Sequence, residues 1–445
     1  MVRFARIASV LCLGVCCILQ CLASATALQA ADVSDRDGAA KRAQQILEET
    51  GVAGGLVIHL GCGDGQLTAA LRANDSFLVQ GLDADVSNVE AAREHIRMLG
   101  LYGNVSVDQF SRSRLPYIDG LVNLVVADDL GNVSQDEIMR VLAPLGVAYI
   151  KQRGQWTKTA KPWPEQIDEW THYLHDPSNN AVAHDSVIEP PRRYQWVAGP
   201  RYSRQHDHMS SVSAVVSARG RLFYILDEAP RASILTPPKW RLIARDAFNG
   251  TLLWKRKIEV WHPHLWRLKS GPQLLTRRLV AVGDRVYVTL GIDAPLVALD
   301  AATGKTVRTY DGTKATEEVL CSDGVLILSV AGEGQPLRSD PAKRYTSLVE
   351  MNNDTTNPLW TQAPRTIMAV EGESGRLLWK KDSVLASLSL AADGQRVLFH
   401  DGQKIQCLEQ RTGRPLWASQ PLPIKESMRS SGGTTLVLHD DVVLY

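Results

Sequence analysis

The hydrophobic pattern changes its period along this chain. Between about residues 40 and 152, short apolar runs alternate with segments whose apolar residues recur at helical spacing. The expected strands are Leu56–Leu60, Leu78–Leu82, Val105–Val107, Leu121–Ala127 and Val147–Ile150. The expected helices are Ala39–Thr50, which Gly51 would cap, Gln66–Ala73, Val86–Met98 and Gln135–Leu142. Strands that alternate with helices predict a parallel sheet wound by helices.

From about residue 211 apolar and polar residues alternate strictly, and Asp-Gly or Gly-Asp turns interrupt them. The clearest expected strands are 220–226, 283–289, 324–329, 394–399 and 441–445. This alternation is typical of half-buried antiparallel strands. Residues 153–210 carry Trp and His among prolines and charges without a clear period, so we expect a Trp- and His-rich connector there.

Four segments of the second region repeat one pattern. They are Ala244–Trp254, Ala298–Arg308, Ala369–Trp379 and Cys407–Trp417. Each has an Asp or Glu, then a Gly, and three of the four have a Trp four residues after the Gly, whereas the second has Arg308. We expect the Gly to take a positive φ in a tight turn between two strands. We expect the Trp to pack between neighbouring sheets.

The repeats resemble the tryptophan-docking repeat of β-propellers of the pyrroloquinoline quinone (PQQ) type. That family includes quinoprotein dehydrogenases and the non-enzymatic outer-membrane assembly protein BamB. The resemblance implies an all-β propeller over residues 211–445. At about 45 residues per blade the region holds about five blades. Since the sequence stops inside an expected strand at Tyr445, we expect an incomplete, truncated propeller.

A glycine-rich loop lies where the first strand meets the next helix. Gly61, Gly63 and Gly65 would let the backbone approach a nucleotide closely. Asp83 closes the following strand, where a carboxylate can accept both hydroxyls of a ribose. The spacing is not the G-x-G-x-x-G of a NAD-binding loop, which makes a NAD-dependent enzyme a weaker alternative.

The loop and Asp83 resemble motif I and the acidic motif of class I S-adenosylmethionine (SAM) methyltransferases. Leu115–Asp119, Leu124–Ala127 and Glu137–Leu142 also resemble that family's fourth strand and next helix. The resemblance covers about residues 40–152, within an expected domain of residues 31–152, and implies an α/β Rossmann-like methyltransferase fold.

By position, the resemblance assigns a part of the ligand to each site residue. Gly61, Gly63 and Gly65 would line the methionine and ribose portion of SAM, and Asp83 would bind the ribose. Asp108, expected after the third strand, would lie near the adenine.

The chain departs from the methyltransferase pattern at two points. His59 stands where the family has Asp or Glu, and the connector follows the fifth strand, so we expect the final antiparallel hairpin to be missing. The sequence assigns no catalytic residue.

The N-terminus has the features of a secretory signal peptide. Arg3 and Arg6 precede the apolar run Ile7–Leu22, and small residues follow. Cleavage after Ala27 or Ala30 would remove residues 1–30, whereas an uncleaved anchor is the alternative. We therefore expect an exported protein of the periplasm or cell envelope, with no membrane span after cleavage.

Charge and cysteine content narrow the classes further. A formal net charge of +1 gives no reason to expect nucleic acid as a partner. Four of the seven cysteines lie in the N-terminal segment, which leaves Cys62, Cys321 and Cys407. We expect these three to be buried free thiols, and the alternative is a Cys321–Cys407 disulfide.

Histidines in and near the connector raise the question of a metal. The clusters are His172 with His175 and Asp176, His206 with Asp207 and His208, and His262 with His264. Imidazole suits zinc or copper. Yet no Cys accompanies them and no H-E-x-x-H is present. We therefore expect these histidines to make hydrogen bonds and no metal to bind.

Three functional hypotheses follow. The first is an exported SAM-dependent methyltransferase-like domain joined to a propeller scaffold that binds an unidentified protein or polysaccharide. The second is a non-enzymatic envelope scaffold with an inert Rossmann module. The third is a quinoprotein dehydrogenase, which would need PQQ, a cation and a catalytic Asp. PQQ is not expected in an incomplete propeller.

Overall fold

The computed structural model of the protein describes residues 37–190, 194–200, 211–232, 236–261, 273–332, 363–423 and 435–445. The chain divides into two compact units, Met1–Lys161 and Pro162–Tyr445. The expected signal peptide lies outside the described residues. Within the described ranges, no helix is both long and apolar enough to cross a membrane.

The first unit alternates strands and helices, as the sequence predicts. Its strands are β1 Gly55–Leu60, β2 Phe77–Asp83, β3 Val105–Gln109, β4 Val122–Ala127, β5 Leu142–Gln152 and β6 Gln155–Ala160. Its helices are α1 (residues 37–50), α2 Gln66–Ala70, α3 Val86–Met98 and α4 Gln135–Val141. Gly51 caps α1 as expected, with φ of 74° and an amide that donates to Leu47 O at 2.9 Å.

These strands form one sheet in the order β3-β2-β1-β4-β5-β6. The first five are parallel, and every residue of β1 is buried. Apolar residues of α1 and α3 cover one face, and those of α4 cover the other. The strand order reverses between β1 and β4, and the crevice at the carboxyl ends of such a pair is where open α/β sheets bind ligands.

The sheet extends beyond the expected end of the domain at residue 152. β6 pairs antiparallel with β5, and Trp156 stacks on Tyr149 with ring centroids 4.8 Å apart. The unit therefore ends at Lys161, and one strand of the antiparallel element expected to be missing is present. The sequence does not predict β6, because none of its residues is fully buried. An exposed edge strand lacks the alternation of apolar residues that indicates a strand.

The second unit contains antiparallel sheets. Its described strands are β7 Val212–Ala218, β8 Arg221–Asp227, β9 Trp240–Asp246, β10 Leu252–Lys257, β11 Leu279–Val282, β12 Arg285–Thr289, β13 Leu296–Asp300, β14 Thr306–Thr309, β15 Thr316–Ser322, β16 Val325–Ala331, β17 Arg365–Glu371, β18 Leu377–Ser383, β19 Ala391–Ala392, β20 Arg396–His400, β21 Ile405–Glu409, β22 Pro415–Ala418, β23 Val437–His439 and β24 Val442–Leu444. Helix α5 is Gln273–Thr276.

Consecutive strands from β7 to β22 form four sheets of four strands each, and β23 and β24 form a two-stranded sheet. The five strands expected from alternation are the second strands of these sheets. The first strand of each sheet contacts the first strand of the next, from β7 through β11, β15 and β19 to β23. Contact between first strands is what propeller blades require around an axis, so the sheets are consistent with blades.

Two of the three repeat tryptophans, Trp254 and Trp379, pack between neighbouring sheets as expected, whereas Trp417 is exposed. Trp254 covers the turn of the next repeat, where its Nε1 donates to Ala301 O at 3.0 Å beside Gly304. Trp379 covers Gly413 of the following repeat in the same way. The repeat therefore joins sheets, and it does not by itself form a ligand site.

Two further side chains take the docking position. Arg308 lies against Gly375, and its Nε donates to Glu373 O at 3.0 Å, which replaces the hydrogen bond of the expected indole. Trp196, which precedes the first repeat, lies against Gly250. The role of Trp196 was not evident because it stands outside a recognisable copy of the repeat.

Part of the expected connector is an ordered segment, residues 170–179, which we call the strap. Its backbone or side chains accept amide hydrogen bonds from the first strand of all five sheets. The donors are Ser217, Ala281, Cys321, Ala392 and Leu438. The strap thus ties successive sheets together, which a pattern without a period could not predict.

Buried groups in the described chain agree with two further expectations. Cys62, Cys321 and Cys407 are all free and buried, so Cys321 and Cys407 do not pair. His172 is buried, and its Nε2 accepts from Cys321 N at 3.0 Å. Burial lowers the pKa of His172 to about 3, with Arg277 and His175 adding to the effect, so this histidine is neutral and serves a hydrogen bond.

Candidate functional site

The candidate site is the loop between β1 and α2. Gly61 N donates to Leu82 O at 2.8 Å, which holds the start of the loop against the end of β2. Gly63 N donates to Asp83 Oδ2 at 2.9 Å. Gly65 then begins α2 with its amide on Cys62 O at 3.0 Å. The end of β2 therefore holds the loop that follows β1.

The three glycines share a left-handed backbone but not the same surroundings. Their φ values are 70°, 52° and 82° for Gly61, Gly63 and Gly65. A Cβ added at Gly65 would lie 2.7 Å from Ala92 Cβ, so Gly65 permits the loop to pack on α3. A Cβ added at Gly61 or Gly63 would meet no atom of the described residues within 4 Å. These two glycines face open space.

Asp83 is buried at the end of β2 and holds the loop through its carboxylate. Besides Gly63 N, it accepts from Asp85 N at 2.9 Å and Asn88 Nδ2 at 3.2 Å, both on Oδ1. A carboxylate offers about four acceptor positions, and three are used. Asp83 therefore both shapes the loop and keeps limited capacity for a ligand hydroxyl.

His59 lies at the base of the loop, inside β1. Its Nδ1 lies 2.8 Å from Thr68 Oγ1 in α2, and the side chain is buried. Burial lowers the pKa of His59 to about 4, while the charges of Asp128 and Asp83 act in the opposite direction. At neutral pH the base of the loop therefore carries a neutral imidazole, at the position where the methyltransferase pattern has Asp or Glu.

Asp128 is a candidate site residue that the sequence pattern did not predict. It directly follows β4, and β1 and β4 pair with Leu60 beside Ala127, so Asp128 lies at the crevice where the strand order reverses. Its charge acts on His59. The available signal was an acidic pair, Asp128 and Asp129, at the end of the fourth strand.

Asp108 is placed differently from the expectation. It lies within β3 and not after it, and its Oδ1 forms an ion pair with Arg93 at 3.0 Å. Its Oδ2 accepts from Gln80 Nε2 at 2.8 Å. Gln109 and Phe110 lie beside the end of β2 instead. The Phe110 amide donates to Asp83 O at 2.7 Å. β3 extends beyond its apolar residues, so the apolar pattern predicts the end of the strand too early.

Only part of the histidine clusters in or near the connector lies within the described residues. His172 and His175 belong to the strap in the other unit. His206, Asp207 and His208 lie outside the described residues, as do His262 and His264.

Known families match both units. Residues 57–146 match the family described as "Methyltransferase domain". Residues 241–366 and 359–445 match the family described as "Outer membrane protein assembly factor BamB". The chain joins a methyltransferase-type domain to BamB-type repeats.

Individual relatives match the methyltransferase-type domain. The ribosomal protein L11 methyltransferase of Caldanaerobacter subterraneus is 31% identical over 114 residues, which cover 26% of this chain and 34% of that protein. The methyltransferase GfsG of Streptomyces halstedii is 31% identical over 103 residues, or 22% of this chain and 37% of its own length. The chain thus spans about a third of the length of these relatives.

Solved methyltransferases are also similar to part of the chain. A putative SAM-dependent methyltransferase of Methanococcus maripaludis is 26% identical, covers 24% of this chain and 52% of its own, and has a TM-score of 0.23. A SAM-dependent methyltransferase of Aquifex aeolicus is 24% identical, covers 24% and 62%, and has a TM-score of 0.22.

The residues of the methyltransferase-type domain fit SAM. The open space beside Gly61 and Gly63 is a cradle that a Cβ would fill. Asp83 borders it with a carboxylate that can accept a hydroxyl hydrogen. His59 contributes no charge at neutral pH.

Proposed function

We propose that the methyltransferase-type domain binds SAM at the carboxyl ends of β1, β2 and β4. The observation that carries the proposal is the pair of glycines, Gly61 and Gly63, that hold left-handed backbone beside open space. Left-handed glycines beside open space also occur elsewhere, as at Gly120, but Gly61 and Gly63 lie at the reversal of strand order, whereas Gly304 of a repeat turn fits against Trp254. Backbone that faces open space, at the crevice where the strand order reverses between β1 and β4, is suited to ligand binding.

Each site residue has a distinct part in this proposal. The Gly61–Gly63 backbone lies against the ligand, and Asp83 accepts a ribose hydroxyl in place of its longest donor, Asn88 at 3.2 Å. His59 positions α2 through Thr68. SAM supplies an activated methyl group, and the domain would contribute mainly by orienting it toward an acceptor.

Calorimetric titration of the mature protein with SAM tests this proposal. We expect binding in the micromolar range, and loss of detectable binding in Asp83→Ala. Asp75→Ala is the control, because the Asp75 side chain is 97% exposed and pairs only with Arg72 among the described groups. Absence of binding by a folded wild-type sample would refute the proposal.

Asp108→Asn separates two interpretations of the adenine side of the site. If Asp108 only forms the ion pair with Arg93, the variant should keep wild-type SAM affinity. A clear loss of affinity would instead support the role that the methyltransferase resemblance implies for Asp108.

We further propose that the second unit is a scaffold that binds a protein or polysaccharide of the cell envelope. The BamB-type repeats support this role, and the signal-like N-terminus supports export to the periplasm or envelope. Fusing the N-terminal residues to a periplasmic reporter tests export. A reporter retained in the cytoplasm would argue against it.

The non-enzymatic alternative keeps the scaffold and makes the Rossmann module inert. The neutral His59 favours it, because a carboxylate is expected at that position. SAM binding without methyl transfer to any envelope fraction would support this alternative. A quinoprotein dehydrogenase is tested by adding PQQ with calcium and measuring bound quinone absorbance after desalting.

A further inference from the structure

A group of metal-ligating side chains flanks the strap in the second unit. His175 Nε2 lies 2.7 Å from Asp168 Oδ2, and His184 Nδ1 lies 3.6 Å from the same oxygen. One ligand atom of each residue lies within 4.8 Å of the other two. Two imidazoles and one carboxylate that converge in this way form a donor set for first-row divalent metals.

The separations suit a tetrahedral ion. Zinc binds nitrogen and carboxylate oxygen at about 2.0–2.1 Å, which places neighbouring ligand atoms about 3.3 Å apart. The measured 2.7 and 3.6 Å lie on either side of that value. Three protein ligands would leave the fourth position for water, and the His184 side chain, 69% exposed, borders solvent.

The buried histidine of the group supplies a second observation. The His175 side chain is 4% exposed, and its Nδ1 has no hydrogen-bond partner among the described residues, although Asp176 Oδ2 lies 3.4 Å away. A metal-bound histidine usually donates its other ring N–H to a carboxylate. A metal on Nε2 would place the proton on Nδ1, directed at Asp176.

Backbone donors orient the carboxylate ligand. Asp168 Oδ1 accepts from Glu169 N and Asp168 Oδ2 accepts from His184 N, each at 2.7 Å. Trp170 packs its ring against His175, with centroids 5.3 Å apart. The fold therefore positions Asp168 and His175, and the His184 backbone is bonded to the same carboxylate.

We propose that Asp168, His175 and His184 bind one first-row divalent metal ion, with Asp176 as the outer carboxylate. Asp168 precedes the strap and His184 follows it, so the ion would fasten both ends of the segment that ties the sheets together. The sequence predicts no metal here, because no Cys accompanies His172 and His175 and no H-E-x-x-H is present. The structure assigns the His172 ring to Cys321 N and Thr171.

Zinc titration of the untagged, chelator-treated full chain tests the proposal. We expect one tight site, whose affinity falls roughly 10–100-fold or more in His184→Ala and by a similar factor in Asp176→Asn. Since the His184 side chain is exposed, its removal should not impair folding. His439→Ala is the matched control, with a side chain 70% exposed, and should bind zinc as the wild type does.

Cobalt provides a second measurement, because its ligand-field absorption reports coordination directly. We expect tetrahedral-type bands in the wild type and their loss in Asp168→Asn. Wild-type zinc affinity in His184→Ala would overturn the proposal, since the ion would then bind elsewhere. Absence of tight zinc binding by folded wild-type protein would also overturn it.

Discussion

Glycines in the loop of the first unit and in the repeat turns of the second share one backbone conformation, but their surroundings differ. Gly61 and Gly304 have φ values of 70° and 68°. A Cβ added to Gly304 would lie 2.5 Å from the Trp254 ring, whereas one added to Gly61 would meet nothing within 4 Å in the part of the chain that the structure describes. In the Gly304 turn the missing side chain makes room for a neighbour, and at Gly61 it leaves the open space in which we propose that SAM binds.

Gly65 shows that the two uses can occur within one motif. It belongs to the loop with Gly61 and Gly63, yet its Cα faces Ala92 at close range. A G-x-G-x-G spacing therefore does not assign three equal ligand contacts. The contact that each glycine makes decides its role.

The largest effect should come from removing a docking side chain. Trp254→Ala deletes a buried indole and its hydrogen bond to Ala301, which should cost about 3–5 kcal/mol. Hydrogen exchange of β9–β14 amides measures the loss. Trp417→Ala is the control, since Trp417 is 41% exposed, and should change stability by less than about 1 kcal/mol. Equal losses in both variants would contradict the packing role of Trp254.

The next prediction separates the stability lost by crowding Trp254 from the stability lost by left-handed backbone strain. Gly304→Ala should cost about 2–5 kcal/mol, because left-handed strain adds to overpacking against Trp254. Gly312→Ala has almost the same φ, 69°, with no atom near its Cβ, and should cost only about 1–2 kcal/mol. Denaturant unfolding compares them, and similar costs would mean that the Trp254 contact does not matter.

The loop differs from the turns also in resting on a buried histidine. The pKa of His59 is about 4 in the folded state and about 6.5 when unfolded, so the unfolded state binds more protons between these values. The stability that the neutral His59 contributes is fully present above about pH 6.5. The free energy of unfolding should fall by about 3 kcal/mol as pH drops to 4. His59→Gln should flatten that dependence in denaturant titrations. An NMR titration of His59 near pH 6.5 would contradict the burial effect.

The smallest effect on stability should come from closing the cradle. Gly61→Ala should cost about 1–2 kcal/mol of folding free energy, from backbone strain alone. It should weaken SAM binding about tenfold or more, equivalent to at least about 1.4 kcal/mol, because the added methyl fills the open space.

Gly120→Ala is the matched control for the cradle. Gly120 has φ of 68° with open space around its Cβ, but it precedes β4 at the opposite edge of the sheet. Stability should fall equally in both variants, while SAM affinity should fall only in Gly61→Ala. Equal affinities, measured by calorimetry, would remove the distinction between loop and turn.

The sequence by itself determined the two folds, because both follow from local periodicity. Apolar runs alternating with helical spacing gave β1, β2 and α3, and strict alternation gave the second strand of each antiparallel sheet. The repeat predicted the docking of Trp254 on the next turn, since a fixed spacing from Gly to Trp recurs. Each of these depends on neighbours in the chain.

Tertiary structure decided everything that depends on distant partners. It brought Asp128 to the reversal point beside β1, tied Asp108 to Arg93, and added β6 as an exposed edge strand. It also gathered Asp168 and His184 around the strap. Periodicity reports which face of an element is buried, but not which distant side chains share a site, because packing between elements sets those contacts.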